Sequence, residues 1–201
     1  MADAPPTTLA AIITAAGQSS RMGQSKALLP WGDTTLIAHQ VTTLATFPFM
    51  RIVVVTGFDA AALTAHLTSL ASTLPALHIT HNPDWQTGRS SSFEAAAAAL
   101  VDLMPTRALV AAVDQPLSPA VIATLLSCPD HDATLVPTFD GRRGHPILLS
   151  PQVVAALPTA STHPDGLRDL IRLGRTTEVS VDSPSIHLDL NTPEAYAAAH
   201  G

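Results

Sequence analysis

Short, continuously apolar runs rich in β-branched residues alternate along this chain with longer runs of helical periodicity. That alternation constrains the fold more than any other feature. "RIVVVTG" (51–57) is apolar at consecutive positions, so its side chains need cover on both faces, as in a buried parallel sheet. Comparable strand-like runs lie at 9–14, 76–80, 108–114, 133–139, 145–150 and 176–181. Helical spacing is found at 34–47, 59–70, 90–103, 118–126, 151–157, 166–174 and 192–200. Strand and helix in alternation predict an α/β domain of three layers, Rossmann-like, with a mostly parallel sheet flanked by helices. The 201 residues suit one such domain, with 1–8 expected as a flexible lead-in and 161–166 as a flexible loop. Ligands of such folds bind beyond the carboxyl ends of the strands, so the residues that follow each strand carry the functional question.

Composition removes several alternatives. The net charge is −6 and only 13% of residues are charged, with no basic patch of the kind a nucleic-acid partner requires. No apolar run approaches the roughly 20 residues that span a bilayer, and the N-terminus lacks the charged start and apolar core of a signal peptide. A protein of the cytoplasm, away from membranes, is expected. The single cysteine, Cys128, excludes an intramolecular disulfide and reads as a helix-end residue. His78 and His81 fall on opposite faces of a predicted strand, so they do not form a zinc pair.

The loop after the first strand, "AAGQSSRMGQSK" (15–26), gathers glycines, small polar residues and two cations. Its backbone N–H groups suit phosphate oxygens, with Arg21 and Lys26 to neutralise them. Its spacing fits neither a P-loop, nor a dinucleotide fingerprint, nor a serine-hydrolase elbow. An ordinary Gly/Ser turn with exposed cations is the competing reading. Asp114 closes an apolar strand, where a carboxylate suits a Mg²⁺ ligand or a turn cap. In "HLDLNTPE" (187–194), alternation places Asp189 and Asn191 on one face, for a metal or acceptor contact or as the cap of the last helix. "NPDWQTGRSSS" (82–92) opens a helix with Gly88 and Ser91, a place that favours anions, while Trp85 suits either a flat ligand ring or core packing. "FDGRRGHP" (139–146) reads as a hairpin-like turn carrying Arg142, Arg143 and His145, either facing an anion or simply solvated.

These segments, headed by "AAGQSSRMGQSKALLP" (15–30) and followed in order by "VDQP" (113–116), "GRRGHP" (141–146) and "DLNTPE" (189–194), resemble the MobA-like nucleotidyltransferase superfamily. Within it they are most similar to the branch that transfers a cytidylyl group to the molybdenum cofactor. The resemblance implies the nucleotide-diphospho-sugar transferase type of fold and a Mg²⁺-dependent transfer of CMP from CTP to the terminal phosphate of molybdopterin, with release of pyrophosphate. It implies Arg21, Lys26 and Asp114 as catalytic groups. Ala15, Ala16, Gly17, Ser19, Asn82, Gly88 and Ser91 would join Arg21 and Lys26 around the nucleotide. Trp85, Arg142, Gly144, His145 and Asn191 would face the acceptor, and Asp114 with Asp189 would hold the metal. The D-x-N form at 189–191 departs from the D-x-D and N-x-N forms of the superfamily, which leaves the second ligand open. A molybdenum hydroxylase apoenzyme is an implied partner. Two alternatives stand beside this reading: transfer of another nucleotide, guanylyl included, to a different phosphorylated acceptor, and a non-catalytic carrier of the finished cofactor.

Overall fold

The computed structural model describes residues 7–19, 22 and 24–200. The chain runs β1 (Leu9–Ala15), a small ribbon of β2 (Pro30–Trp31) and β3 (Thr34–Thr35), then α1 (Leu36–Ala45), β4 (Arg51–Thr56), α2 (Ala60–Ala71) and β5 (Leu77–His81). It continues through α3 (Arg89–Ala98), β6 (Arg107–Ala112), α4 (Pro119–Ser127), β7 (Thr134–Phe139), β8 (Arg142–Arg143) and β9 (Ile147–Leu149). The last elements are α5 (Pro151–Ala156), α6 (Leu167–Arg172), β10 (Thr176–Ser180) and α7 (Pro193–His200).

The main sheet has the order β10-β7-β9-β6-β1-β4-β5, with β8 paired to β7. Pairings β6-β1, β1-β4, β4-β5 and β10-β7 are parallel, and β9 runs antiparallel between β6 and β7. The consecutive apolar residues of β1 and β4 divide between two cores by the strand's two-residue period. Ala11, Ile13, Ile52 and Val54 pack with Ile37, Val41 and Leu44 of α1, Leu63 and Leu67 of α2, and Ile122 and Leu125 of α4. Ala10, Ile12, Val53 and Val55 pack with Phe93 and Ala96 of α3, Val153 of α5 and Leu170 of α6. The sheet is therefore the middle of three layers, and both its faces are dry.

Strand order also locates the site. From β1 the chain builds outward through β4 and β5, then returns to place β6 on the other side of β1. The crevice at the carboxyl ends of β1 and β6 is the switch point of this sheet, where open α/β folds bind ligands.

Several boundaries differ from the sequence reading. The helix expected from residue 34 begins at Leu36, because Thr34 and Thr35 pair with Trp31 and Pro30 in the ribbon. Thr35 then caps α1, accepting a 3.3 Å hydrogen bond from the Ala38 N–H. Residues 161–166 are not a loose loop. Leu157–Thr162 forms a 3₁₀ helix with Leu157 and Ala160 in the core, and the Ser161 N–H donates to Glu94 Oε1 at 2.7 Å. Thr8, inside the expected lead-in, accepts from the Thr106 and Arg107 N–H groups. The turn at 139–142 is a tight hairpin, with Asp140 and Gly141 both at positive φ, the conformation that matches strand twist in a two-residue turn. No helix among the described residues is long and apolar enough to cross a membrane.

Candidate active site

Two cavities open side by side at the switch point. The smaller, about 290 Å³, is walled by Thr14 of β1, by Ala16, Gly17 and Ser19 after it, by Val113 and Asp114 after β6, and by Lys26 and Asn191. Trp85, Gly88, Arg89 and Ser92 close its far side. The larger, about 600 Å³, shares Thr14, Arg89 and Ala112 with the first. Its floor is apolar, formed by Phe93, Val110, Ile147 and Ile171. Its rim carries Arg89, Arg143, His145, Arg168 and Arg172.

Lys26 is the centre of the smaller cavity. Only 7% of it is exposed, and it sits in a 3₁₀ turn whose Lys26 N–H donates to Ser19 Oγ at 3.3 Å. Its ammonium donates to Asp114 Oδ2 at 2.9 Å and to Asn191 Oδ1. A buried ammonium is tolerated only with such partners, so the three residues act as one electrostatic unit. Asp114 belongs to the turn after β6 and Asn191 to the segment before α7. The Leu190 N–H donates to the Asp114 carbonyl at 2.8 Å, so the two oxygen donors stand on segments tied together at Asp114.

The loop between β1 and Lys26 is set from below. A Cβ on Gly57 would lie 2.6 Å from the Ala16 carbonyl oxygen and 2.8 Å from Trp85 Cβ, so only glycine fits where β4 passes under both walls. The Phe58 N–H donates to the same Ala16 carbonyl at 3.0 Å. Trp85 meets the Phe58 ring edge-on at 5.5 Å while presenting its remaining surface to the cavity. It is both a packing anchor and a wall.

The predicted site residues separate into groups. Ala16, Gly17, Ser19, Lys26, Gly88, Asp114, Trp85 and Asn191 meet in the smaller cavity, so Trp85 and Asn191 share a cavity with the residues expected around the nucleotide. Gly144 and His145 line the larger cavity, with Arg143. Ala15 is in the core behind the wall. Asn82 and Ser91 also lie behind the wall, because their polar groups are used in folding the loop. Asn82 Nδ2 donates to Ser91 Oγ at 2.8 Å and to Ser92 Oγ at 3.1 Å, and Asn82 Oδ1 accepts from the Asp84 N–H. The Ser91 hydroxyl lies within hydrogen-bond reach of the Asp84 and Gly88 carbonyls.

Arg142 lines neither cavity. It is exposed, and its carbonyl engages His187 Nε2. Asp189 is exposed and off both cavities, since residues 188–191 turn, with the Asn191 N–H bonded to the Asp189 carbonyl. The strand-like alternation assumed for this pair does not hold. Arg21 lies outside the described residues.

The larger cavity holds its charges differently. Arg143 pairs with Glu178 at 2.8 Å, and Arg172 pairs with Asp165 and Asp169. Arg89 and Arg168 face His145 closely enough to act on it. Burial among protein atoms lowers the His145 pKa, although the ring opens to the cavity. The Arg89 and Arg168 charges lower it further, and Asp114 pulls in the opposite sense. The ring is therefore neutral near pH 7.

Sequence reasoning passed over Arg168 and Arg172. Their i, i+4 spacing in "GLRDLIRLG" puts both on one helix face, a signal that was available. It also passed over Gln40, a fully buried polar residue in the apolar stripe of α1 (Leu36, Ile37, Val41, Leu44).

The sequence matches the MobA-like NTP transferase domain over residues 11–180. It is 30% identical to the molybdenum cofactor cytidylyltransferase of Escherichia coli, covering 94% of this chain and 93% of that one. It is also 30% identical to the nicotine blue oxidoreductase of Paenarthrobacter nicotinovorans, over 86% of this chain and 85% of that one. Among solved structures, a nucleotidyl transferase from Methanothermobacter superposes with a TM-score of 0.78 at 21% identity, covering 97% of each chain.

Proposed function

The chain belongs to the MobA-like NTP transferase family, and from that premise we propose that it transfers CMP from CTP to a phosphate of molybdopterin and releases pyrophosphate. The observation that carries this reading is the buried Lys26–Asp114–Asn191 unit at the switch point, open to a larger cavity with a cationic rim. The choice of CTP and molybdopterin follows the Escherichia coli relative.

The residues fit a divalent cation. Asp114 and Asn191 already direct two oxygens at one cationic group, and Mg²⁺ takes oxygen ligands, commonly one or two carboxylates plus substrate phosphates. Asp114 would hold the ion, with Asn191 beside it. Bound there, Mg²⁺ supplies charge neutralisation to the triphosphate.

The chain's own residues do the rest by position and charge. Gly17 and Ser19 offer their backbone to the phosphates, and the space beside Gly17 is cavity. Lys26, together with Arg21, would grip the triphosphate. Arg89 and Arg168, on the rim of the larger cavity, orient the anionic acceptor. One oxygen of the acceptor phosphate then attacks the α-phosphorus of CTP. A new P–O bond forms as the bond to the β-phosphate breaks, and pyrophosphate leaves with the bonding electrons. No side-chain nucleophile is needed. The product dinucleotide would pass to a molybdenum hydroxylase apoenzyme.

The test is calorimetric titration with CTP, GTP, UTP and ATP, each with Mg²⁺, followed by pyrophosphate release with molybdopterin. Selective CTP binding, lost in Asp114→Ala, and release of pyrophosphate are the expected results. Selective binding of another nucleotide would overturn the cytidylyl assignment. Pyrophosphate release also separates this reading from the redox chemistry in the Paenarthrobacter relative's name, and from carriage of a finished cofactor.

A further inference from the structure

The turn that presents Asp114 has its carbonyls directed into the protein, toward α1. A buried carbonyl left without a donor costs free energy comparable to a lost hydrogen bond. One side chain answers two of them, on Val113 and Gln115, and also reaches the Ala112 carbonyl, which accepts from the Gln115 N–H at 3.1 Å. The amide nitrogen of Gln40 lies 2.9 Å from the Gln115 carbonyl, 3.0 Å from that of Val113 and 3.3 Å from that of Ala112. The fourth carbonyl, on Asp114 itself, accepts from the Leu190 N–H. Gln40 is fully buried, and its helix is held in the core by Leu36, Ile37, Val41 and Leu44, all at 0% exposure. Three acceptors crowd one end of the amide, so its orientation is fixed: the NH₂ group faces the turn.

A buried glutamine in an apolar helix stripe is a cost unless its hydrogen bonds are used. Here the two N–H groups of the amide join the backbone on both sides of Asp114 to the apolar core, while Gln40 Oε1 is buried without a partner among the described residues, so the link is made by the donors alone. Through the Leu190 bond, the same clamp reaches the segment carrying Asn191. We propose that Gln40 is the positioning residue of this site, fixing where the Asp114 and Asn191 oxygens converge and so setting the site's affinity for a divalent cation. It touches neither substrate nor metal. The inference rests on the reading of Asp114 as the metal-binding carboxylate.

Gln40→Met keeps the volume of the side chain and removes the donor. The experiment measures Mn²⁺ binding by electron paramagnetic resonance, with CTP present, on wild type, Asp114→Asn and Gln40→Met. Turnover and thermal unfolding are measured on the same samples. Gln40→Met is expected to weaken Mn²⁺ binding and lower kcat by at least about tenfold each, the scale seen when the support of a metal ligand is lost. KM for CTP stays within about threefold, because phosphate contacts are made elsewhere, and unfolding remains a single transition. A variant that melts earlier but keeps wild-type Mn²⁺ affinity and kcat overturns the proposal and leaves Gln40 a structural residue only. If wild type itself shows no Mn²⁺ binding that Asp114→Asn removes, the metal assignment fails and this inference fails with it. The two failures are told apart by the wild-type arm. Should Gln40→Met not fold, Gln40→Asn, whose amide is one carbon short of the turn, replaces it with the same expected order of effects.

Discussion

The two cavities hold their cations on different foundations. In the smaller one, the ammonium of Lys26 is buried, its partners sit on the turn after β6 and on the segment before α7, and the turn is clamped from α1. In the larger one, the guanidinium groups ride on α3, on α6 and on the β7–β8 hairpin, and the Arg143 and Arg172 side chains are 62% and 64% exposed. A charge fixed in a dry, preorganised place stabilises developing charge far more than one that water can screen. The proposed function accordingly puts the reaction in the smaller cavity and the acceptor in the larger.

The first way to break this comparison is Lys26→Met, which removes the fixed charge and preserves much of the volume. Turnover is expected to fall at least ~100-fold, the scale of losing one preorganised electrostatic group. Pyrophosphate release under saturating substrates checks it. Turnover within a few-fold of wild type would mean that the buried ammonium is structural, and the distinction between the cavities would collapse.

The second prediction addresses the larger cavity and is smaller. Arg168→Ala should raise the acceptor KM by about tenfold, as for loss of one charge-assisted hydrogen bond, and leave the KM for nucleotide unchanged. Arg143→Ala should raise it less, by under about threefold, because Arg143 is shared with Glu178 and an exposed pair carries little net energy. Equal effects of the two substitutions, or an effect on nucleotide KM, would show that the two cavities are not separate sites.

How much of this was legible before the structure follows the same division. The strands were legible because a strand buried on both faces must be apolar at consecutive positions, as 52–55 are. Lys26 and Asp114 were legible because each stands in a motif at a strand's carboxyl end. Asn82 is instructive: its position just past β5 suits a ligand contact, but its amide nitrogen is engaged by Ser91 and Ser92. Sequence marks where such a residue stands and not which partner claims it. The resemblance implies Asp189 as a metal ligand, yet the chain turns at 188–191 and brings the Asn191 amide oxygen to Lys26. Gln40 was missed because its partners are backbone carbonyls 72 to 75 residues away, which leave no trace in residue type.

The smallest expected effect concerns the titratable ring in the larger cavity. His145 has a pKa lowered by burial and by Arg89 and Arg168, with Asp114 opposing. Below about 6.5, the unperturbed histidine value, the unfolded chain takes up a proton that the native ring resists. The unfolded state then binds more protons, so stability falls as pH drops from about 6.5 toward the lowered native value. Above that window the ring is neutral in both states and contributes nothing to the pH dependence. His145→Gln should match wild type within about 0.5 kcal/mol at pH 7.5, as an ordinary surface change does, and should lose less stability between pH 7 and pH 5. Denaturant midpoints across that range measure it, and a wild-type-to-variant difference that stays constant with pH would overturn the reading. An anion held by Arg89 and Arg168 cancels part of the field that keeps the ring neutral, so acceptor binding should take up protons in this window. The smaller cavity, whose cation is already paired with Asp114, gives His145→Gln no reason to alter nucleotide binding there.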